Sequence, residues 1–112
     1  MLPIHSLRVG ALVAFTLLTS SAFAAEAEFA LSLQNNRFVP TELKVPAGQR
    51  IKLIVHNQDS KAEEFESHDL NREKLIPAGA KVTIYIGPLK AGRYAFFGEF
   101  NPATAKGTVV VD

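Results

Sequence analysis

Cysteine is absent from all 112 residues, which excludes disulfide staples, thiolate metal ligands and a lipid-modified cysteine. Methionine occurs once, at Met1, so a chain that loses its N-terminus holds no sulfur ligand of either kind. Neither sign of charge dominates, with 12 Lys and Arg against 11 Asp and Glu. Without a basic stripe there is no electrostatic footprint for nucleic acid or anionic lipid. Phosphate-cradling motifs are missing too. Gly79, Gly87, Gly92, Gly98 and Gly107 are scattered at turns, with neither G-x-G-x-x-G nor a Walker loop. No apolar run reaches the roughly 20 residues that a spanning helix needs.

What is present begins with a leader. The cation Arg8 precedes the run Val9 to Leu18, which is apolar apart from Gly10 and Thr16, and small residues follow, ending in Ala22-Phe23-Ala24. That order of basic, apolar and small segments predicts a secretory signal peptide over residues 1–24, cleaved after Ala24. The apolar core is about half the length of a membrane anchor. The mature chain is then residues 25–112, one domain of 88 residues that is exported to the periplasm and no longer membrane-associated through its leader. Losing Arg8 leaves 11 cationic against 11 acidic side chains, and losing His5 leaves His56 and His68. A domain this small buries only about 60–68% of its unfolded surface, so its stability rests on the core alone.

Alternation dominates the mature chain. Phe29, Leu31 and Leu33 recur at a period of two, as do Ile51, Leu53 and Val55, then Val82, Ile84 and Ile86, and finally Val109 and Val111. That period, with β-branched and aromatic residues, is what a sheet with one buried face demands. Turn signals fall between the runs at Pro46-Ala47-Gly48, Pro77-Ala78-Gly79, Gly87-Pro88 and Ala91-Gly92. One helical turn at most fits Asp69 to Lys74. The prediction is an all-β fold, an antiparallel Greek-key β-sandwich of about seven strands.

Three segments resemble the cupredoxin family: Phe38 to Gly48 with the strand Arg50 to Asn57, Leu89 to Phe97, and Gly107 to Val111. A narrower set is similar to the copper-less cupredoxin-like proteins found with bacterial ferrous-iron permeases, of the EfeO-type cupredoxin domain. It comprises Glu64 to Ser67, Arg72 to Gly79, Ile86 to Leu89 and the long string Phe97 to Ala105. The resemblance implies a cupredoxin-like sandwich and a periplasmic accessory of ferrous-iron uptake. Such a protein would hold iron or copper, or assist iron oxidation, beside periplasmic or inner-membrane iron-transport components. It also implies where a blue-copper set would lie, and this chain departs from that set. Gly98 stands in the cysteine place, Asn101 in that of the loop histidine, and Glu63 or Glu64 in that of the upstream histidine. The axial methionine is missing. A type 1 site needs two His and a Cys, so none can form.

The residues that remain offer oxygen. On a strand Glu64 and Glu66 share one face while Phe65 points into the sandwich, and Glu99 from the following loop would meet them. Such hard donors suit iron or manganese better than Cu(I). Acidic clusters often do no more than solvate a strand, and Arg93 or Lys106 would neutralise Glu99 as well as a metal would. Asn101 and His56 are secondary metal candidates. Asn101 precedes Pro102 and reads more naturally as turn chemistry, and His56 lies at the end of its strand. His68 ranks below both. Ser67-His68-Asp69 names a hydrolase triad, but consecutive residues cannot converge on one another. No nucleophile–base pair marks a stand-alone catalyst, and oxidising iron would require a redox partner or a copper ion. The competing reading is a metal-free periplasmic interaction module of a membrane transport complex.

Overall fold

The computed structural model describes residues 26–112, so the expected leader lies outside the described residues. Nine strands follow in order: β1 (Ala27–Gln34), β2 (Arg37–Val39), β3 (Glu42–Val45), β4 (Ile51–Asn57), β5 (Glu63–Ser67), β6 (Arg72–Ile76), β7 (Lys81–Ile86), β8 (Gly92–Gly98) and β9 (Lys106–Val111). They form a four-stranded sheet, β2-β1-β4-β7, facing a five-stranded sheet, β3-β9-β8-β5-β6. Among the described residues no helix is long and apolar enough to cross a membrane.

The all-β sandwich is as expected, with two differences. The strands number nine because β2 and β3 are only 3 and 4 residues long, too short for a period of two to be read. Both sheets are mixed rather than antiparallel, since β1 pairs β4 in parallel and β3 pairs β9 in parallel. Parallel neighbours require a crossover between sheets, and side-chain alternation carries no sign of strand direction.

Alternation does decide the core. Strand β4 buries Ile51, Leu53, Val55 and Asn57 while Lys52, Ile54 and His56 face outward. Between the sheets Phe38, Phe65 and Phe96 meet, with ring centroids 5.1, 5.2 and 6.1 Å apart, the offset and edge-on spacings aromatic rings prefer. The β1–β2 hairpin turns on Asn35 and Asn36, at φ 52° and 58°, residues that tolerate the left-handed region. The Asp59 carboxylate accepts hydrogen bonds from both of their amides, at 2.7 and 2.8 Å.

The helical turn expected over Asp69 to Lys74 is instead a tight turn running into β6. Asn71 takes φ 52° and its N–H donates to the His68 carbonyl at 3.2 Å. The chain therefore reverses, and β6 pairs antiparallel with β5, Glu64 opposite Leu75 and Glu66 opposite Glu73.

Candidate metal centre

The centre is built on β5, whose five residues Glu-Glu-Phe-Glu-Ser alternate between buried and half-buried. Phe65 packs in the core, so Glu64 and Glu66 project from the outer face of the five-stranded sheet. On one side β6 sets Glu73 opposite Glu66. On the other, Phe65 pairs with Gly98 and Glu66 with Phe97, and one step on the Glu99 N–H donates to the Glu64 carbonyl at 2.9 Å. Register thus brings four carboxylates together. One ligand oxygen from each of Glu64, Glu66, Glu73 and Glu99 lies within 4.8 Å of all the others.

Like charges this close, in a partly desolvated setting, resist joint ionisation. The Glu64 carboxyl is pushed up to about 7, chiefly by a side-chain hydrogen bond with Glu73, then by burial and by the charge of Glu99. Glu66 is also raised, first by hydrogen bonding to Glu99, then by burial, with His68 opposing weakly. Glu64 Oε1 is buried with no hydrogen-bond partner, because its neighbours are carboxylates that offer no donor until one takes up a proton. Of the nearby cations two arginines are committed elsewhere, and Lys106, opposite Phe97 on β9, makes no salt bridge among the described residues. Arg93 pairs with Glu42 at 2.7 Å, while the Arg72 Nε donates to the Tyr85 carbonyl and its Nη1 to that of Asn71, both at 2.8 Å. Among the described residues no salt bridge reaches any of the four glutamates.

The expected trio Glu64, Glu66 and Glu99 is therefore assembled, and Glu73 joins it unforeseen. Its signal lay in the β5–β6 hairpin, hidden while the turn before β6 read as helical. The secondary candidates do not join. His56 pairs with Ser32 and Lys81 in the other sheet, alternating with buried Val55, so it faces out from the opposite side of the sandwich. The Asn101 side chain donates to Glu63 Oε2 at 2.8 Å, and its carbonyl accepts from the Ala105 amide at 2.8 Å, which is turn chemistry. Ser67, His68 and Asp69 are tied to structure: the Ser67 Oγ donates to the Ala95 carbonyl at 2.6 Å, Asp69 accepts from the Ala95 amide at 2.9 Å, and the His68 ring lies 5.6 Å from that of Phe97.

The inner side of β5 holds one further carboxylate. Glu63, only 1% exposed, accepts from the Glu64 and Phe100 amides through Oε1, at 2.9 and 2.8 Å, and from Asn101 through Oε2. It fills the space beside Gly98. A Cβ at that position would lie 2.6 Å from the Glu63 Cδ and 2.8 Å from the Ala105 Cβ. Gly98 and Asn101, which the family resemblance sets in the cysteine and loop-histidine places, pack here against Glu63, one of the two residues it offers for the upstream histidine. A type 1 copper does not fit.

A family model described as a cupredoxin-like domain matches residues 7–111. The uncharacterized protein RP394 of Rickettsia prowazekii is 42% identical over 85 residues, which cover 76% of this chain and 68% of that protein. Among solved structures, the blue copper protein auracyanin A of Chloroflexus aurantiacus is similar at TM-score 0.68 and 15% identity, over 79% of this chain and 100% of that one. The metal binding domain of the Streptococcus pneumoniae Cu(I)-exporting P-type ATPase gives TM-score 0.67 at 15% identity, over 76% and 84% of the two chains. A purple cupredoxin from Nitrosopumilus maritimus gives 0.58 at 20%, over 78% and 100%. At such identities the solved structures speak for the fold alone. The chain belongs to the cupredoxin-like domain family.

Proposed function

We propose that this cupredoxin-like domain is a periplasmic metal-binding accessory that captures a divalent cation, foremost ferrous iron, on Glu64, Glu66, Glu73 and Glu99. It would then pass the ion to a membrane iron-transport component. One observation carries the reading: four carboxylates converge within 4.8 Å with no salt bridge to any of them among the described residues, and one has a buried oxygen with no partner there. A divalent ion relieves both the mutual repulsion and the unmet acceptor. Carboxylate oxygens suit Fe(II) and Mn(II), whereas Cu(I) prefers sulfur. The site is open to one side, since Glu73 and Glu99 are exposed, so an acceptor's ligands can reach the ion for handover. The transport role is supported by the Phe97 to Ala105 string and its likeness to permease-associated proteins, and export by the leader pattern of residues 1–24.

The test is anaerobic calorimetric titration of the purified protein with Fe(II), Mn(II) and Cu(II). The expected result is one saturable site for Fe(II) and Mn(II), weakened at least tenfold by Glu99→Ala. Absence of any saturable site removes the reading. The metal-free docking module would then stand, favoured by Glu63 occupying the copper pole and by Leu75 and Phe100, each 53% exposed beside cluster glutamates.

A further inference from the structure

Glu63 is the one buried acidic side chain among the described residues that the proposed site does not use. Its contacts are directional. Oε1 accepts from the Glu64 amide on its own strand and from the Phe100 amide on the loop after β8, while Oε2 accepts from the Asn101 side chain. With the Glu99 amide donating to the Glu64 carbonyl, three consecutive loop residues, 99 to 101, are tied to residues 63 and 64. The carboxylate thus links β5, which carries Glu64 and Glu66, to the loop that carries Glu99.

We infer that Glu63 is a positioning residue for the glutamate centre: its carboxylate holds the loop after β8 against β5, so that Glu99 stands opposite Glu64. This rests on the reading of Glu64, Glu66, Glu73 and Glu99 as a cation site. It assigns the pole that carries copper in blue-copper relatives a different task, bracing a carboxylate site on the outer face. The packing agrees, because the bare Gly98 leaves room for Glu63 and for nothing more, as a Cβ there would sit 2.6 Å from its Cδ. The bracing works through reach and acceptor capacity rather than charge. A glutamine keeps the reach and keeps Oε1 as acceptor for both amides, with the Asn101 amide free to turn its oxygen toward the new NH2. An aspartate keeps the charge but is one methylene short.

The experiment is Mn(II) calorimetry on wild-type, Glu63→Gln and Glu63→Asp protein, with hydrogen exchange at the Phe100 amide measured on each. Glu63→Gln should bind Mn(II) within about threefold of wild type, and Glu63→Asp at least tenfold more weakly, with Phe100 exchange at least tenfold faster only in the aspartate variant. The opposite order, glutamine weak and aspartate strong, would make Glu63 a charge contributor or ligand and overturn the inference. So would equal affinities in all three, which would leave Glu63 a purely structural residue. Should Glu63→Asp not fold, Asn101→Ala removes one of the three contacts and should weaken binding about threefold; unchanged affinity overturns the inference. If wild-type protein binds no Mn(II), the cation reading fails by itself. The brace is then judged by Phe100 exchange alone, and equal exchange in all three proteins refutes it.

Discussion

Glu63 and Glu64 are neighbours of identical chemistry on one strand, and their surroundings are opposite. Glu63 points inward, is 1% exposed, and three donors converge on it. Glu64 points outward, yet one of its oxygens is buried without a donor and its nearest companions are other carboxylates. The deeper acid is the better satisfied one. Burial by itself does not unsettle a carboxylate; burial without donors does. On the inner side the β8–β9 loop supplies donors, and on the outer side Glu64 meets three further carboxylates. The two faces of β5 thus separate a carboxylate supplied with donors from four that, among the described residues, have no salt-bridge partner.

The strongest way to break this comparison is to remove the inner carboxylate. Glu63→Leu leaves the Glu64 and Phe100 amides and the Asn101 side chain without their acceptor. At roughly 1–3 kcal/mol for each stranded group, and with all three contacts part-buried, a loss of about 3 kcal/mol in urea denaturation is expected. A loss too small to measure would mean that these donors find water at once, and that the inner face is not sealed.

The outer face answers to pH and to metal. Glu64 is raised from 4.5 to about 7 in the folded protein, so between those values the native state holds a proton that the unfolded chain has released. Its stabilising share is therefore complete below about 4.5 and is lost as pH rises through about 7. Metal-free protein should lose resistance to urea over that window, and Glu64→Gln should flatten the slope. Mn(II) at a hundredfold excess over its Kd should add about 2.7 kcal/mol at neutral pH by mass action, and should release protons on binding. A metal-free profile that is flat or rises over this range contradicts the repulsion inferred at the centre.

The smallest effect belongs to an ordinary exposed pair. Arg93 and Glu42 lie 2.7 Å apart with side chains 61% and 53% exposed, and the arginine holds the Glu42 carboxyl below its usual range. Solvent screening leaves such pairs little weight. Arg93→Ala should shift neither the urea midpoint beyond error nor Mn(II) affinity; a change in affinity would show that Arg93 reaches the cluster after all.

Much of this is legible in the amino-acid sequence. The inward run Ile51, Leu53, Val55 and the outward pair Glu64 and Glu66 about Phe65 follow from a period of two, which is local geometry. Glu99 was expected beside them through a family resemblance, because its loop follows the strand that leads to the copper ligands in blue-copper relatives. Glu73 is not legible in that way: its place depends on the reversal at Asn71, and a left-handed residue leaves no periodic trace. His56 was placed near the centre by its position along the strand, but depth along a strand says nothing of which sheet the strand joins.

By itself the sequence determined that the domain is all-β, that it has no sulfur to offer a metal, and which residues of each strand face inward. These follow from composition and from the two-residue repeat of an extended backbone. Only the tertiary structure decided that β5 lies between β6 and β8, which gathers four glutamates from three segments, and that Glu63 fills the space beside Gly98. Lateral pairing and cavity filling join Glu66 to Glu73 across a chain reversal and β5 to residues 31 to 38 positions away, and no local rule of side-chain spacing gives either.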